Sequence, residues 1–245
     1  MRIVKQTFYS NILQRPMPVA VYGHFGVPVI VFPTAAQDFE EYERMDMLET
    51  LGEFINSGMI KLICVTSINA ESWMNRSLQV SERARLQAHY DRHVVEELVP
   101  FVYKECNSKL PIATIGSSFG AYHAANELLK HPDIFRWCIC MSGIYDVSQY
   151  FDGYIDHNCY ENNPVDYVPK IHDPVRLEQL ARCSINILCG QGLWERVEWS
   201  KALPAALARR GINHNFDLWG RDVSHDWPWW KLQLQLYIPR LFGSF

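Results

Sequence analysis

Six short strand-like runs constrain this chain more than anything else in it. They are VPVIVFP (27–33), IKLICVT (60–66), PIATIG (111–116), FRWCICMS (135–142), SINILCG (184–190) and NHNFDLW (213–219). VPVIVFP is apolar on both faces and rich in β-branched residues, as a strand covered by helices on each side should be. Between the runs lie segments with helical spacing: 39–57 ending at Gly58, 80–105 with a kink at Pro100, 119–130, 196–210 and 228–241. Strands alternating with helices predict an α/β fold with a mostly parallel central sheet and helices on both faces. Residues 3–9 and 17–22, joined by a turn around Asn11–Pro16, predict an antiparallel hairpin at one sheet edge. With no internal repeat and no Gly/Ser linker, the 245 residues are read as one domain. Residues 143–172, crowded with Tyr, Asp, Asn and Pro, break the rhythm and read as an insertion or cap-like segment at the ligand-binding edge.

Charge narrows the class. The formal net charge is -4 at pH 7, so no basic excess exists to attract nucleic acid or an anionic membrane surface. No run of about 18 uncharged apolar residues is present, and MRIVKQTFYSNILQRP lacks the apolar core of a secretory signal. The seven cysteines are scattered, without a Cys-x-x-Cys pair. Cys64, Cys138, Cys140 and Cys189 sit in strand-like runs, which suits reduced thiols and a cytoplasmic protein.

The chemistry centres on GSSFG at 116–120. A buried strand runs into it and an apolar helix leaves it, the setting of a nucleophile elbow, with Ser118 at the bend. A serine hydroxyl needs a base to take its proton. His225, in the loop between the last strand and the last helix, is the candidate; His214 starts a strand. The histidine needs a carboxylate to fix its tautomer. The loop after 184–190 reads GQGLWERVEW and offers Glu195 or Glu198, with Glu195 nearer the strand end. Asp222 and Asp226 are too close to His225 in sequence to face its ring. The order Ser118, Glu195, His225 is that of an α/β-hydrolase. For the oxyanion, one expected donor is the Phe119 N–H; the other comes from PTAAQD (33–38), where Pro33 has no N–H and Thr34 or Ala35 remains.

These segments together resemble a known group. GSSFGAYHA, GQGLWE and VSHDWPWW are similar to the putative-esterase branch of the α/β-hydrolases, which includes esterase D (S-formylglutathione hydrolase), feruloyl esterases and mycolyltransferases. The resemblance covers nearly the whole chain. It implies that FPTAAQDF (32–39) is the first oxyanion loop with Thr34 as donor, and that MSGIYDVS (141–148) is the Ser-Gly segment after the next strand. Phe32-Pro33 stands where that branch carries His-Gly. The mycolyltransferases resemble this chain in using a glutamate, a position that Glu195 matches with one residue fewer in the loop. The branch implies cleavage or transfer of acyl esters through an acyl-serine.

Other signals are weaker. His89 and His93 are four apart on a helix, but the intervening Tyr-Asp-Arg lacks the metalloprotease Glu, so both are read as a solvated face. Trp194 and Trp227 flank Glu195 and His225 and are candidates for a pocket wall. The expectation is a serine carboxylic-ester hydrolase acting on a small-molecule ester, without cofactor or metal, nucleic acid or membrane. Homo-oligomer formation stays open. The rivals are an acyltransferase with the same triad and a non-catalytic binding protein of the same fold.

Overall fold

The structure is a computed structural model that describes residues 1–243. Its chain opens with the expected hairpin, β1 (Ile3–Ser10) against β2 (Arg15–Tyr22). β3 (Val27–Phe32) follows, then three short helices, α1 (Glu41–Arg44), α2 (Met47–Thr50) and α3 (Gly52–Asn56), and β4 (Ile60–Val65). Next come α4 (Val80–His93), a π-helical turn at Val94–Leu98 and α5 (Val99–Cys106). β5 (Ile112–Ser117), α6 (Phe119–Lys130) and β6 (Phe135–Met141) carry the chain to the irregular segment. That segment holds α7 (His157–Glu161) and α8 (Pro164–Tyr167), before α9 (Pro174–Ala181), β7 (Ser184–Cys189), α10 (Val197–Arg210), β8 (Asn215–Leu218) and α11 (Trp227–Phe242).

The eight strands form one sheet in the order β1-β2-β4-β3-β5-β6-β7-β8. β1–β2 and β2–β4 are antiparallel and every other pair is parallel. Alternation along the strands splits the core in two. Val19, Val21, Ile30, Phe32 and Ile63 face one side with α4, α5, α6 and α10. Ala20, Tyr22, Val29, Val31 and Leu62 face the other, under α1–α3 and α11. Side chains of period two buried on both faces are what a doubly covered sheet requires. Chain order reverses between β3 and β5, because β4 lies on one side of β3 and β5 on the other. That switch point opens a crevice at the strands' carboxyl ends.

Three expectations need correction. Residues 39–57 are not one helix: Asp46 adopts the left-handed conformation (φ 54°) between α1 and α2, and a new start follows at Leu51. The segment 80–105 is not one uniform α-helix: a π turn at Val94–Leu98 interrupts it just before Pro100, whose ring needs room against the preceding turn. His89 and His93 do not share a solvated face. His93 is buried, stacks on Phe8 at 5.6 Å and bonds to Glu97 at 2.7 Å. Glu97 also accepts the Asn11 N–H at 2.8 Å and the Ile12 N–H at 3.3 Å, so this cluster ties the β1–β2 turn to the helix. Among the described residues no helix is long and apolar enough to cross a membrane.

Candidate active site

The elbow forms where β5 meets α6. Ser118 sits at φ 55°, ψ -120°, a strained conformation for a residue with a Cβ, and its N–H donates to the Met141 carbonyl at 2.8 Å. The two flanking glycines make the bend possible. A Cβ on Gly116 would stand 2.1 Å from the Gly120 carbonyl, and one on Gly120 would stand 2.3 Å from the Phe32 carbonyl oxygen. The second contact shows how closely the loop after β3 passes the start of α6. Gly120→Ala forces backbone apart and is expected to cost about 3 kcal/mol of stability; urea unfolding should show a lower midpoint, and an unshifted midpoint would mean that the loop gives way freely.

Glu195 and His225 ride on two loops zipped by backbone bonds. The Gln191 N–H donates to the Gly220 carbonyl at 3.1 Å, the Gly192 N–H to the Val223 carbonyl at 2.7 Å, and the His225 N–H to the Leu193 carbonyl at 2.9 Å. A Cβ on Gly190 would strike the Val223 carbonyl oxygen at 2.1 Å, so the close approach needs glycine there. The zip brings His225 Nδ1 to 3.4 Å from Glu195 Oε2. The Glu195 side chain is 2% exposed. Its Oε1 accepts from the Ser142 hydroxyl at 2.5 Å and from the Gly190 N–H at 3.1 Å. Trp230 Nε1 donates to that same hydroxyl at 3.0 Å, and its indole packs edge-on to His225 at 5.1 Å. Burial pushes the Glu195 carboxyl upward, but the hydrogen bonds from His225, Ser142 and Gly190 outweigh it and hold it below the usual carboxylate value. Glu198 lies elsewhere, largely exposed and paired with Lys201 at 2.9 Å. Asp226 caps α11 through the Trp227 N–H.

Ser118 and His225 line one pocket of about 130 Å³, together with Ser142, Gly143, Ile144, Trp194, Arg196 and Trp199. No hydrogen bond joins serine to histidine directly among the described residues. Trp194 is 75% exposed and forms the rim, whereas Trp227 packs on Tyr42 and Trp230 and takes no part in the wall. A larger apolar pocket of about 360 Å³ lies at the opposite end of the strands, around Val27, Leu110 and Trp137. No titratable side chain lines it, so it has no means for acid–base chemistry.

The loop after β3 departs from expectation. The Thr34 N–H, expected to be an oxyanion donor, donates to Glu41 Oε2 at 2.8 Å, and the Thr34 hydroxyl bonds to the other oxygen of that carboxylate. Glu41 is buried, and burial raises its pKa against the pull of those bonds. The Ala35 N–H has no acceptor among the described residues. The Ala35 carbonyl is held by the Ser67 hydroxyl at 3.0 Å and by Asn69 Nδ2 at 2.5 Å, and Asn69 Oδ1 meets His123 Nε2 at 2.9 Å. Sequence reasoning missed Glu41, Asn69, Arg196, Trp199 and Trp230. Of these, only Arg196 and Trp199 carried a signal, lying in the loop and helix start that follow Glu195.

A mostly parallel sheet covered on both faces, with a strand–serine–helix elbow at its switch point, defines an α/β-hydrolase. The Putative esterase family matches residues 10–241, and the chain belongs to that family. Solved structures share the fold over the whole chain. A ferulic acid esterase superposes with a TM-score of 0.77 at 17% identity, covering 100% of this chain and 99% of its own. The fluorophosphonate-binding serine hydrolase FphF of Staphylococcus aureus gives 0.72 at 15% identity, covering 98% of each chain. An S-formylglutathione hydrolase from Agrobacterium tumefaciens gives 0.71 at 15% identity, covering 98% of this chain and 95% of its own. No curated protein sequence matches the chain significantly.

Proposed function

We propose that this serine esterase hydrolyses small carboxylic esters through an acyl-enzyme on Ser118, with His225 as general base and acid and Glu195 as the carboxylate that orients it. The pairing of His225 with the buried Glu195 carboxylate, opening on a pocket shared with the strained Ser118, carries the reading. Glu195 accepts at Nδ1, which leaves Nε2 to take the Ser118 proton as Oγ attacks the ester carbonyl. The N–H groups of Phe119, first in its helix, and of Ala35 stabilise the oxyanion. His225 then gives its proton to the departing alcohol. Water, deprotonated by the same ring, attacks the acyl-serine, and the carboxylic acid leaves as Ser118 regains its proton.

A pocket of about 130 Å³ suits a short acyl group, with the alcohol lying over the open rim of Trp194, Arg196 and Trp199. The absence of any disulfide among the seven cysteines fits a reducing compartment, and we place the enzyme in the cytoplasm. A fluorophosphonate probe tests the central claim. Peptide mapping should find the label on Ser118 in folded protein, with ester turnover lost in proportion. Labelling at another residue, or none, would refute the assignment. Product analysis with added alcohol separates hydrolysis from acyl transfer: free acid in excess is expected, and excess transfer product would make the enzyme an acyltransferase.

A further inference from the structure

Away from the pocket, two carboxyl groups and an imidazole converge where α4 ends beside the last turn of α6. Asp91 comes from α4, Glu127 from α6, and His131 is the residue that closes α6. One ligand atom from each lies within 4.8 Å of the other two, and among the described residues this is the one such cluster of His, Cys, Asp or Glu. Asp91 is satisfied: Oδ1 meets His131 Nε2 at 3.1 Å, and Oδ2 meets Lys130 Nζ at 3.0 Å. Glu127 is not. It is 0% exposed, and neither of its carboxyl oxygens has a hydrogen-bond partner.

That orphan asks for a partner. Buried polar groups are nearly always paired, and a carboxyl group without a donor costs stability in either protonation state. The nearby ammonium, Lys130, is already committed to Asp91. The donor set narrows what the missing partner is. Two carboxylates and one imidazole, completed by a water as fourth ligand, match the four-coordinate preference of zinc. Calcium and magnesium ask for six or more oxygen ligands, and the imidazole does not suit them. Zinc–ligand bonds of about 2.0–2.2 Å would draw the three atoms modestly inward from their present spacing. His131, with a quarter of its side chain exposed, gives a path from solvent.

We propose that Asp91, Glu127 and His131 form a binding site for a divalent cation of the zinc type, which pins α4 to the far end of the helix that begins at the elbow serine. The ion replaces Lys130 as the charge partner of Asp91, and the lysine turns outward.

The full chain, stripped with a chelator and dialysed, is titrated with zinc chloride by calorimetry and followed by thermal denaturation. One equivalent should bind with a micromolar or tighter Kd, and the melting temperature should rise with zinc because the ion binds the folded state. Glu127→Gln and His131→Asn should each weaken binding at least tenfold. Magnesium at millimolar concentration should give no shift. The two substitutions cover each other: Glu127→Gln keeps the buried volume, and His131→Asn lies at the exposed end, so a folding failure in one leaves the other to decide. Absence of saturable zinc binding, or unchanged affinity in either folded variant, overturns the proposal. The readouts involve no ester turnover, so they stand apart from the triad.

Discussion

Ser118→Ala is expected to lower kcat on an activated ester such as p-nitrophenyl acetate by about five orders of magnitude. The other effects should be small. The elbow is set by backbone: the Ser118 N–H bond to Met141, the two glycines, and the passage of the loop after β3. None of these involves the hydroxyl, so melting temperature should change little. Alanine meets the same strain at φ 55° that serine does. KM should also stay near its starting value, because Oγ forms no covalent bond to the substrate in the initial complex. A combined assay of kcat, KM and melting temperature decides the matter. Near-full turnover in a well-folded variant would remove Ser118 from the chemistry.

Glu195→Gln should cost about four orders of magnitude in kcat. The amide keeps the shape of the carboxylate but can present an N–H to His225 Nδ1, which favours the wrong tautomer. It also removes the negative charge that stabilises the imidazolium. The substitution should alter acid stability too. Glu195 lies below its ordinary value near 4.5 in the folded chain, so its bonds to His225, Ser142 and Gly190 stabilise the fold above that pH. That contribution fades as pH falls through the lower folded value. Urea midpoints measured from pH 6 to pH 3 should therefore fall more steeply in the wild type than in the variant. Parallel curves together with retained turnover would mean that another carboxylate serves His225.

The strands were legible because burial on both faces leaves long apolar runs, and β5 and α6 lie where residues 111–116 and 119–130 predicted them. Residues 39–57 were not legible as three helices, because nothing in the local pattern marks Asp46 as left-handed. Between Glu195 and Glu198, position relative to the strand end pointed to the side chain that the structure brings to His225. The state of Thr34 could not be read. Whether Glu41, seven residues on, folds back over that amide depends on how α1 packs, and periodicity says nothing of it. His93 misled for a similar reason: its burial is set by a hairpin more than 80 residues away in sequence. Ser142, just past β6, and Trp230, from α11, support Glu195, and only the closed sheet unites those segments.

The zip between residues 190–193 and 220–225 is made of main-chain atoms. Beyond the glycines the zip itself needs no side chain to bring the Glu195 and His225 loops together, and Ser142 and Trp230 then hold the carboxylate. The exposed Leu193, Trp194 and Arg196 can therefore be exchanged by drift or by an engineer without disturbing the proposed proton relay. Substrate preference and chemical competence are thus separately heritable in this scaffold, and a lineage can change its diet while keeping its teeth.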